Sequence, residues 1–269
     1  MKKNCTFIPL NIKFMRIYIL LVTVTLFLGS CVNKSDELQR SELSGGTLRL
    51  NESEKYISLF PASSMDIVST HIITQIHLGL VKYDVKSLLV QPAIAKDWDL
   101  DNSGMVYTFH LNTNARFHDD SCFPEGEGRK IVAEDFKYTF TQLATQSPYN
   151  KNFFGTVDKI VGAKQHYKES AENKNLKDIE GIKVINDSTL QITIEKPYDF
   201  FIYHMANVAA SVMAREAYEK YGANNLVGAG PFVVDKLSDG NGNLLLARNK
   251  NHFEVDEQGK PLSVYFKEQ

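Results

Sequence analysis

The sequence predicts an α/β body whose sheets are mixed rather than uniformly parallel. Segments with helical periodicity and segments with strand alternation follow one another irregularly, without the regular strand–helix succession that builds a parallel sheet. The chain is 43% hydrophobic and 23% charged, which is the composition of a globular protein with a sizeable core. We find no internal repeat or low-complexity tract that would point to another architecture.

Three segments have the apolar spacing of amphipathic helices, namely residues 67–80, 134–143 and 215–221. The first carries apolar side chains at positions 68, 72, 73, 76 and 80. Gly79 and Gly222 suit the ends of the first and third helices, because glycine readily adopts the backbone conformation that ends a helix.

Segments with the pattern of β-strands lie between and around these helices. The predicted strands cover residues 47–50, 106–111, 182–185, 190–194, 232–234 and 244–247. Tyr107, Phe109 and Leu111 share one face of the second strand, as in a half-buried strand. Turn-forming residues at 186–188 and 239–242 predict that the last four strands form two hairpins.

The N-terminus has the layout of a secretory signal peptide. A basic start precedes an apolar run at residues 17–29, which is shorter than the ~20 residues that span a bilayer core. Gly29 and Ser30 are the small residues expected before a cleavage site. Residues 1–30 are therefore predicted to be a signal peptide, and the pattern that ends at Cys31 resembles a bacterial lipobox.

Cys31 is predicted to carry a lipid that holds the mature protein at a membrane of the cell envelope, on its periplasmic side. Residues 31–46 are polar and predict a flexible tether. The charges that begin at Lys34 resemble a stretch that directs some bacterial lipoproteins to the cell surface, and a solvated linker is the plainer interpretation. A net charge of −2 without a basic stripe argues against nucleic acid as a partner.

Few residues suggest chemistry. His118, Asp119 and Asp120 are adjacent and could bind a cation, although neighbours in a turn point in different directions. Cys122 lies in a loop without a catalytic signature, and no nucleophile elbow or phosphate loop is present. We therefore predict a protein that is not an enzyme and has no cofactor and no metal site.

Eight motifs, in order along the chain, resemble the family 5 solute-binding proteins of ABC transporters for oligopeptides, dipeptides and nickel. They include "GGTLR" at residues 45–49, "GLVKYD" at 79–84, "RFHD" at 116–119 and "VGAGPF" at 227–232. The other four lie at residues 92–98, 103–111, 133–136 and 248–253. Together the matches cover the whole mature chain.

The resemblance implies a class II periplasmic-binding-protein-like fold, a two-lobed clamp with a domain inserted in the first lobe. It implies that residues 47–83 begin the first lobe, 84–180 form the inserted domain and 181–269 return to the first lobe. Members of the family are roughly twice as long, so the expectation is that the second lobe is missing from this chain.

The resemblance also implies a ligand site. In peptide-binding relatives an extended ligand pairs with a strand segment, as in β-augmentation, and this segment falls on Met65, Asp66 and Ile67. Tyr149 stands where relatives place an aromatic ring near the ligand. Residues 228–230, which are Gly228, Ala229 and Gly230, border the cleft in relatives.

Two local departures accompany the resemblance. Asp120 replaces a glycine of the family pattern, and residues 121–130 resemble an insertion. Val132 stands where relatives usually have threonine, so the helix that follows is expected to lack a good N-cap, at a cost of ~1 kcal/mol.

The function expected from these observations is a lipid-anchored solute-binding component of an ABC importer, working with permease subunits and most simply for peptides. The alternatives are a non-binding remnant or envelope interaction protein, a nickel- or haem-binding member of the family that uses His118, and an envelope hydrolase. Nothing specific in the sequence supports the hydrolase.

Overall fold

The computed structural model describes residues 47–172, 176–237 and 243–255. The predicted signal peptide, Cys31, the tether and the turn at residues 239–242 lie outside the described residues. The chain divides into two compact units, residues 1–51 and 52–269. Residues 47–50 are exposed and form no strand, so the strand predicted there is wrong. Among the described residues, no strand pairs with this segment.

The described residues form five α-helices. They are α1 (Ile67–Ile76), α2 (Ala133–Leu143), α3 (Ala163–Ala171), α4 (Phe201–Met205) and α5 (Arg215–Tyr221). Of these, α1, α2 and α5 correspond to the three predicted helices, whereas α3 and α4 were not predicted. α1 is shorter than predicted, because His77 takes an extended conformation and ends the helix before Gly79. α5 ends at Gly222, as expected, with a φ of 59° at the glycine.

The strands of the described residues form three sheets. They are β1 (Val81–Tyr83), β2 (Val90–Pro92), β3 (Ala95–Leu100), β4 (Val106–Leu111), β5 (Ile182–Asn186), β6 (Thr189–Thr193), β7 (Phe232–Lys236) and β8 (Leu245–Arg248). β1 pairs with β2, β7 pairs with β8, and the central sheet has the order β3-β4-β6-β5. Both predicted hairpins are confirmed, and every pairing between these named strands is antiparallel.

The central sheet crosses the domain boundary predicted at residues 180 and 181. β3 and β4 precede that boundary, whereas β5 and β6 follow it, and β4 pairs directly with β6. Residues 84–180 thus lack two of the four strands that their sheet requires.

The main core lies between the central sheet and α2. β4 alternates as predicted, with Tyr107, Phe109 and Leu111 buried. Phe136 and Phe140 of α2 are also fully buried, and their rings lie 6.0 Å apart. Burial of this apolar area supplies the main stabilisation of the sheet.

A second, smaller core fixes α1. Leu59, Ile73 and Ile76 are buried together, and side chains of the β7–β8 hairpin such as Val234 and Leu246 pack against them. α1 is therefore held between the hairpin and the rest of the body. In the part of the chain that the structure describes, no helix is both long enough and apolar enough to span a bilayer.

Candidate functional site

The start of α1 presents an extended stretch of backbone to solvent. Ser64 has a ψ of 119°, and Asp66 has φ and ψ of −127° and 158°, both in the strand region. Met65, between them, is 70% exposed. Within the described residues, its backbone N–H and C=O have no hydrogen-bond partner. The segment therefore has the geometry and the free groups of an unpaired strand.

The Asp66 side chain is committed to the helix rather than to solvent. Its Oδ1 accepts a hydrogen bond from Ser69 N at 2.7 Å, which satisfies one of the free donors at the helix start. Its carbonyl accepts from Thr70 Oγ1 at 2.8 Å. Asp66 therefore fixes the direction in which the extended stretch enters α1.

Tyr149 is brought next to this stretch by two polar side chains. Ser63 Oγ donates to Tyr149 O at 2.5 Å. Asn152 Nδ2 donates to Ser64 O at 2.9 Å, and to Ala62 O at 3.0 Å. These bonds join segments almost 90 residues apart in the chain.

The exposed side chains that result define an exposed strip, which consists of Met65, Ile67 and Tyr149. Ile67 is 68% exposed and Tyr149 is 56% exposed. Apolar side chains of this size are usually buried, so their placement beside free backbone groups suggests a binding surface. Three of the residues predicted for the site are therefore brought together.

The glycine segment, residues 228–230, lies at the other end of α1 and is buried. Gly230 N donates to Ile76 O at 2.8 Å. A Cβ atom at Gly228 would lie 2.1 Å from Ile76 O, and one at Gly230 would lie 2.5 Å from Gln75 O. Only glycine permits this approach of two backbones, which explains the residue type without a ligand.

His118 holds the glycine segment from the opposite side. Its backbone N donates to Gly228 O at 2.8 Å, and its ring Nε2 donates to Gly230 O at 2.9 Å. Its Nδ1 accepts from Gly228 N at 3.3 Å. Burial lowers the pKa of His118 to about 4, so the ring is neutral, with its proton on Nε2.

The acids beside His118 turn in other directions, as expected for neighbours in a turn. Asp119 accepts from Gly128 N at 2.9 Å, and Asp120 accepts from Tyr221 Oη at 2.7 Å. Among the described residues, no group of three or more His, Cys, Asp or Glu side chains could hold a metal ion. Burial raises the pKa of Cys122 to about 12, which leaves the thiol unreactive.

His77 is a buried group that the sequence did not indicate. It follows α1 directly and is only 3% exposed. Neither ring nitrogen has a hydrogen-bond partner within the described residues. Burial, with a smaller contribution from His118, lowers its pKa to about 3. A polar residue at the end of an apolar helix usually faces solvent, and no local pattern predicts its burial here.

The described fold is that of solute-binding proteins of known structure. An oligopeptide-binding protein of Borrelia burgdorferi of known structure superimposes with a TM-score of 0.65 at 25% identity. The alignment covers 76% of this chain and 39% of that one. The sequence pattern of the bacterial extracellular solute-binding proteins, family 5 Middle, matches residues 90–267. This is more than half of the chain, which therefore belongs to that family.

Two curated relatives show the range of ligands named in the family. The dipeptide-binding protein of Escherichia coli K12 is 29% identical over 166 residues, which are 58% of this chain and 29% of that protein. The heme-binding protein A of Haemophilus influenzae is 27% identical over 237 residues, which are 81% of this chain and 41% of that protein. The chain thus spans less than half the length of these relatives.

Proposed function

We propose that this chain is the solute-binding component of an ABC importer for peptides, held at a membrane of the cell envelope by a lipid on Cys31. The observation that carries the proposal is the extended, unpaired backbone at Met65 beside the exposed strip. Peptide-binding names among the relatives support peptides as the ligand class. Permease subunits of the importer are the expected partners.

In the proposed mechanism a peptide adds to the protein as a strand. The N–H and C=O of Met65 hydrogen-bond to the peptide backbone, which gives affinity that is independent of the peptide sequence. Side chains of the exposed strip contact the peptide side chains and contribute preference. This division suits a receptor that accepts many sequences.

The glycine segment has an indirect role in the proposal. Gly228, Ala229 and Gly230 were expected to contact ligand, yet the N–H and C=O groups of both glycines are already bonded to His118 or Ile76. Ala229 is 1% exposed. A ligand reaches these residues only if the contacts with α1 open, so we propose that the segment positions α1 rather than the peptide.

The proposed domain division follows the sheet. Residues 47–83 belong to the first lobe, as the resemblance implies. The inserted domain, expected at residues 84–180, continues in this proposal through β6, because β5 and β6 complete its sheet. The return to the first lobe then begins after Thr193.

The function is tested by calorimetric titration of the full chain with mixtures of short peptides. Met65→Pro removes one backbone donor, and the extended conformation of Ser64 is compatible with a following proline. We expect roughly tenfold weaker peptide binding, the effect of one lost hydrogen bond. Met65→Ala is the matched control, since it shortens the side chain but keeps the N–H. Equal affinities for the two variants would remove strand addition from the mechanism.

Haem or nickel binding is the second candidate, and the haem-binding relative that covers most of the chain favours it. His118, which prompted this candidate, is 4% exposed and uses both ring nitrogens within the protein. A haem titration of the full chain, followed by the Soret band, tests it. A shifted band that saturates would favour haem over peptides.

A further inference from the structure

The loop between β1 and β2 carries the most exposed apolar side chain of the described residues. We define the apolar tip as Val85, Leu88 and Leu89, which are 88%, 67% and 59% exposed. Solvent-exposed apolar residues are common singly, but three on one six-residue loop form a contiguous patch.

Hydrogen bonds within the loop fix its conformation and therefore keep the apolar tip exposed. Asp84 N donates to Leu89 O at 2.8 Å, and Leu88 N donates to Asp84 O at 2.9 Å. The Asp84 carboxylate accepts from Lys86 N and from Ser87 N and Oγ, at 2.8–3.1 Å. These bonds hold the carboxylate against the backbone of Lys86 and Ser87.

Leu88 adopts a φ of 57°, which is uncommon for a residue with a branched side chain. A glycine or asparagine would adopt this conformation with less strain. The strained leucine makes no buried contact in return, since two-thirds of it is exposed. An uncommon backbone conformation at an exposed apolar residue suggests a function for the loop.

Aromatic rings surround the base of the loop. We define the aromatic collar as Tyr83, Tyr203 and Phe200. Tyr83 and Tyr203 have ring centroids 6.1 Å apart, and Tyr203 and Phe200 have centroids 5.9 Å apart. Tyr83 Oη donates to Tyr203 O at 2.9 Å, which fixes the collar to α4. Phe200 is 62% exposed.

We propose that the apolar tip inserts into the interfacial region of an anionic lipid surface. From tip to base the loop offers aliphatic side chains, then aromatic rings, and this is the order in which a bilayer interface accepts them. Lys86, exposed between the aliphatic residues, can reach the headgroups with its ammonium group. Three aliphatic side chains suit shallow insertion and do not span a bilayer.

A bilayer is the surface that the apolar tip meets, because the lipid anchor holds the body next to one. In this respect the inference rests on the function proposed above. Residues 31–46 can extend at most roughly 50 Å, so a lipid on Cys31 keeps the body close to the bilayer. In the proposal the apolar tip is a second contact beside the lipid, and it orients the body on the surface.

The test compares two triple variants in flotation with vesicles of phosphatidylethanolamine and phosphatidylglycerol. Both are made in the mature chain, residues 31–269 without the predicted signal peptide, carrying Cys31→Ala, so that the tip is measured without the lipid and without the apolar run at residues 17–29. The tip variant is Val85→Ser, Leu88→Ser and Leu89→Ser. The control is Leu100→Ser, Ile185→Ser and Leu245→Ser, which removes exposed apolar side chains elsewhere. We expect the tip variant to partition at least tenfold more weakly and the control to match its parent.

A second measurement reports the depth of the loop directly. Trp98 is the single tryptophan, so Leu88→Trp in a Trp98→Phe background places one fluorophore on the tip. Vesicles with brominated acyl chains should quench it, and should leave Ile185→Trp in the same background unquenched. Equal quenching at both positions would overturn the proposal.

Two further outcomes would also overturn it. One is that the Cys31→Ala parent does not float with vesicles. The other is that the parent sediments as a dimer that the tip variant dissociates, which would make a second copy the occupant. Fatty-acid labelling of the unaltered chain reports the anchor separately, and peptide titration of the tip variant reports the proposed function, so the three failures are distinguishable.

Discussion

At the scale of single residues, the glycine segment shows that a residue can be specified by its neighbour rather than by a ligand. Gly228 and Gly230 lie against the last turn of α1 so closely that no side chain fits. The backbone groups of the two glycines are satisfied by the backbone and ring of His118 and by Ile76. These bonds hold the end of α1 in place, whereas Met65 and Ile67 lie at its start.

The first prediction concerns this close approach. Gly230→Ala should lower the free energy of unfolding by roughly 2–4 kcal/mol, because the added methyl group overlaps the Gln75 carbonyl and the backbone must move. Gly79→Ala is the matched control, since Gly79 is also buried but a methyl group there would come no closer than 3.4 Å to its nearest neighbour. We expect a change within about 1 kcal/mol there. Denaturant unfolding of both variants decides, and equal losses would contradict the packing argument.

The second prediction concerns pH. The pKa values of His77 and His118 in the folded protein, about 3 and about 4, lie below the ordinary value of 6.5. Above pH 6.5 both rings are neutral whether or not the chain is folded. Below it only the unfolded chain takes up the protons. Stability should therefore fall as the pH falls from 6.5, and each histidine should reduce the folding equilibrium constant tenfold per pH unit.

Urea unfolding between about pH 6.5 and about pH 4.5 measures this slope before most carboxylates begin to titrate. His77→Leu replaces a ring whose nitrogens are unpaired with an apolar side chain of similar volume. This variant should take up one proton fewer on unfolding, so its stability should depend less steeply on pH. A slope unchanged in this variant would mean that His77 does not bury a neutral ring.

At the scale of single residues, the sequence drew attention to the right residues but did not predict what they contact. His118 was noticed as a metal candidate, whereas its partners Gly228 and Gly230 lie 110 and 112 residues further along. No local spacing connects residues so distant, because the connection exists only after the chain has folded. His77 gave no signal at all, since its burial comes from the packing of other segments around the end of α1.

At the scale of elements, the start of α2 shows how a missing cap is replaced. Val132 cannot accept a hydrogen bond with its side chain, as expected from the sequence. Asp187 O accepts from Ala133 N at 2.8 Å, and the Asp135 carboxylate accepts from Val132 N at 2.9 Å. The expected loss of stability is thus offset by contacts from the β5–β6 turn and from the helix itself.

The insertion at residues 121–130 is tied to the same helix start. Arg129 donates to both Asp135 oxygens, at 2.7 and 2.8 Å, and to both Glu216 oxygens, at 2.6 and 2.9 Å. Its guanidinium group also lies 5.2 Å from the centre of the Phe117 ring. One cation therefore joins the insertion, α2 and α5.

The third prediction follows from the different burial of the two acids. Asp135→Asn should cost about 3 kcal/mol, because a buried carboxylate that pairs with Arg129 and holds the start of α2 is removed. Glu216→Gln should cost at most about 1 kcal/mol, since this carboxylate is 37% exposed and its pair is screened by water. Thermal unfolding of the two variants gives the comparison, and the reverse order of stability would refute it.

Most elements were predictable because their sequence patterns match their final burial. β4 and α2 each carry an apolar face that the core covers, and the sequence between the strands of each hairpin is polar. The strand predicted at 47–50 failed because an alternating pattern forms a strand only when a partner strand is present. The end of α1 was placed too late because tertiary contacts at His77, not the helical pattern, end the helix.

At the scale of the whole molecule, the family and the fold class were predictable because eight motifs occur in the family order. The arrangement of the central sheet was not, since the pairing of β4 with β6 joins residues 79 to 87 positions apart. Sequence motifs mark positions along the chain, whereas sheet order depends on which apolar faces meet. The family motifs therefore predict an inserted domain, but they do not indicate which strands pair in the central sheet.

The last prediction concerns the attachment of the whole protein. Cys31→Ser should move the exported protein from the membrane fraction to the soluble fraction and abolish labelling by an alkyne fatty acid, because serine offers no thiol for acylation. Cys122→Ser is the matched control, since that thiol lies in the folded body and its high pKa leaves it unreactive. Labelling that persists in Cys31→Ser would place the lipid elsewhere.

The separation of α1 into an exposed start and a tightly held end has a consequence for evolution. The side chains of Met65, Ile67 and Tyr149 are mostly exposed, so substitutions there should accumulate with little loss of the native state. A side chain at Gly228 or Gly230 would overlap backbone atoms, so changes there should be removed by selection on folding. Descendants of such a chain can therefore vary at the exposed strip while the scaffold beneath it stays constant.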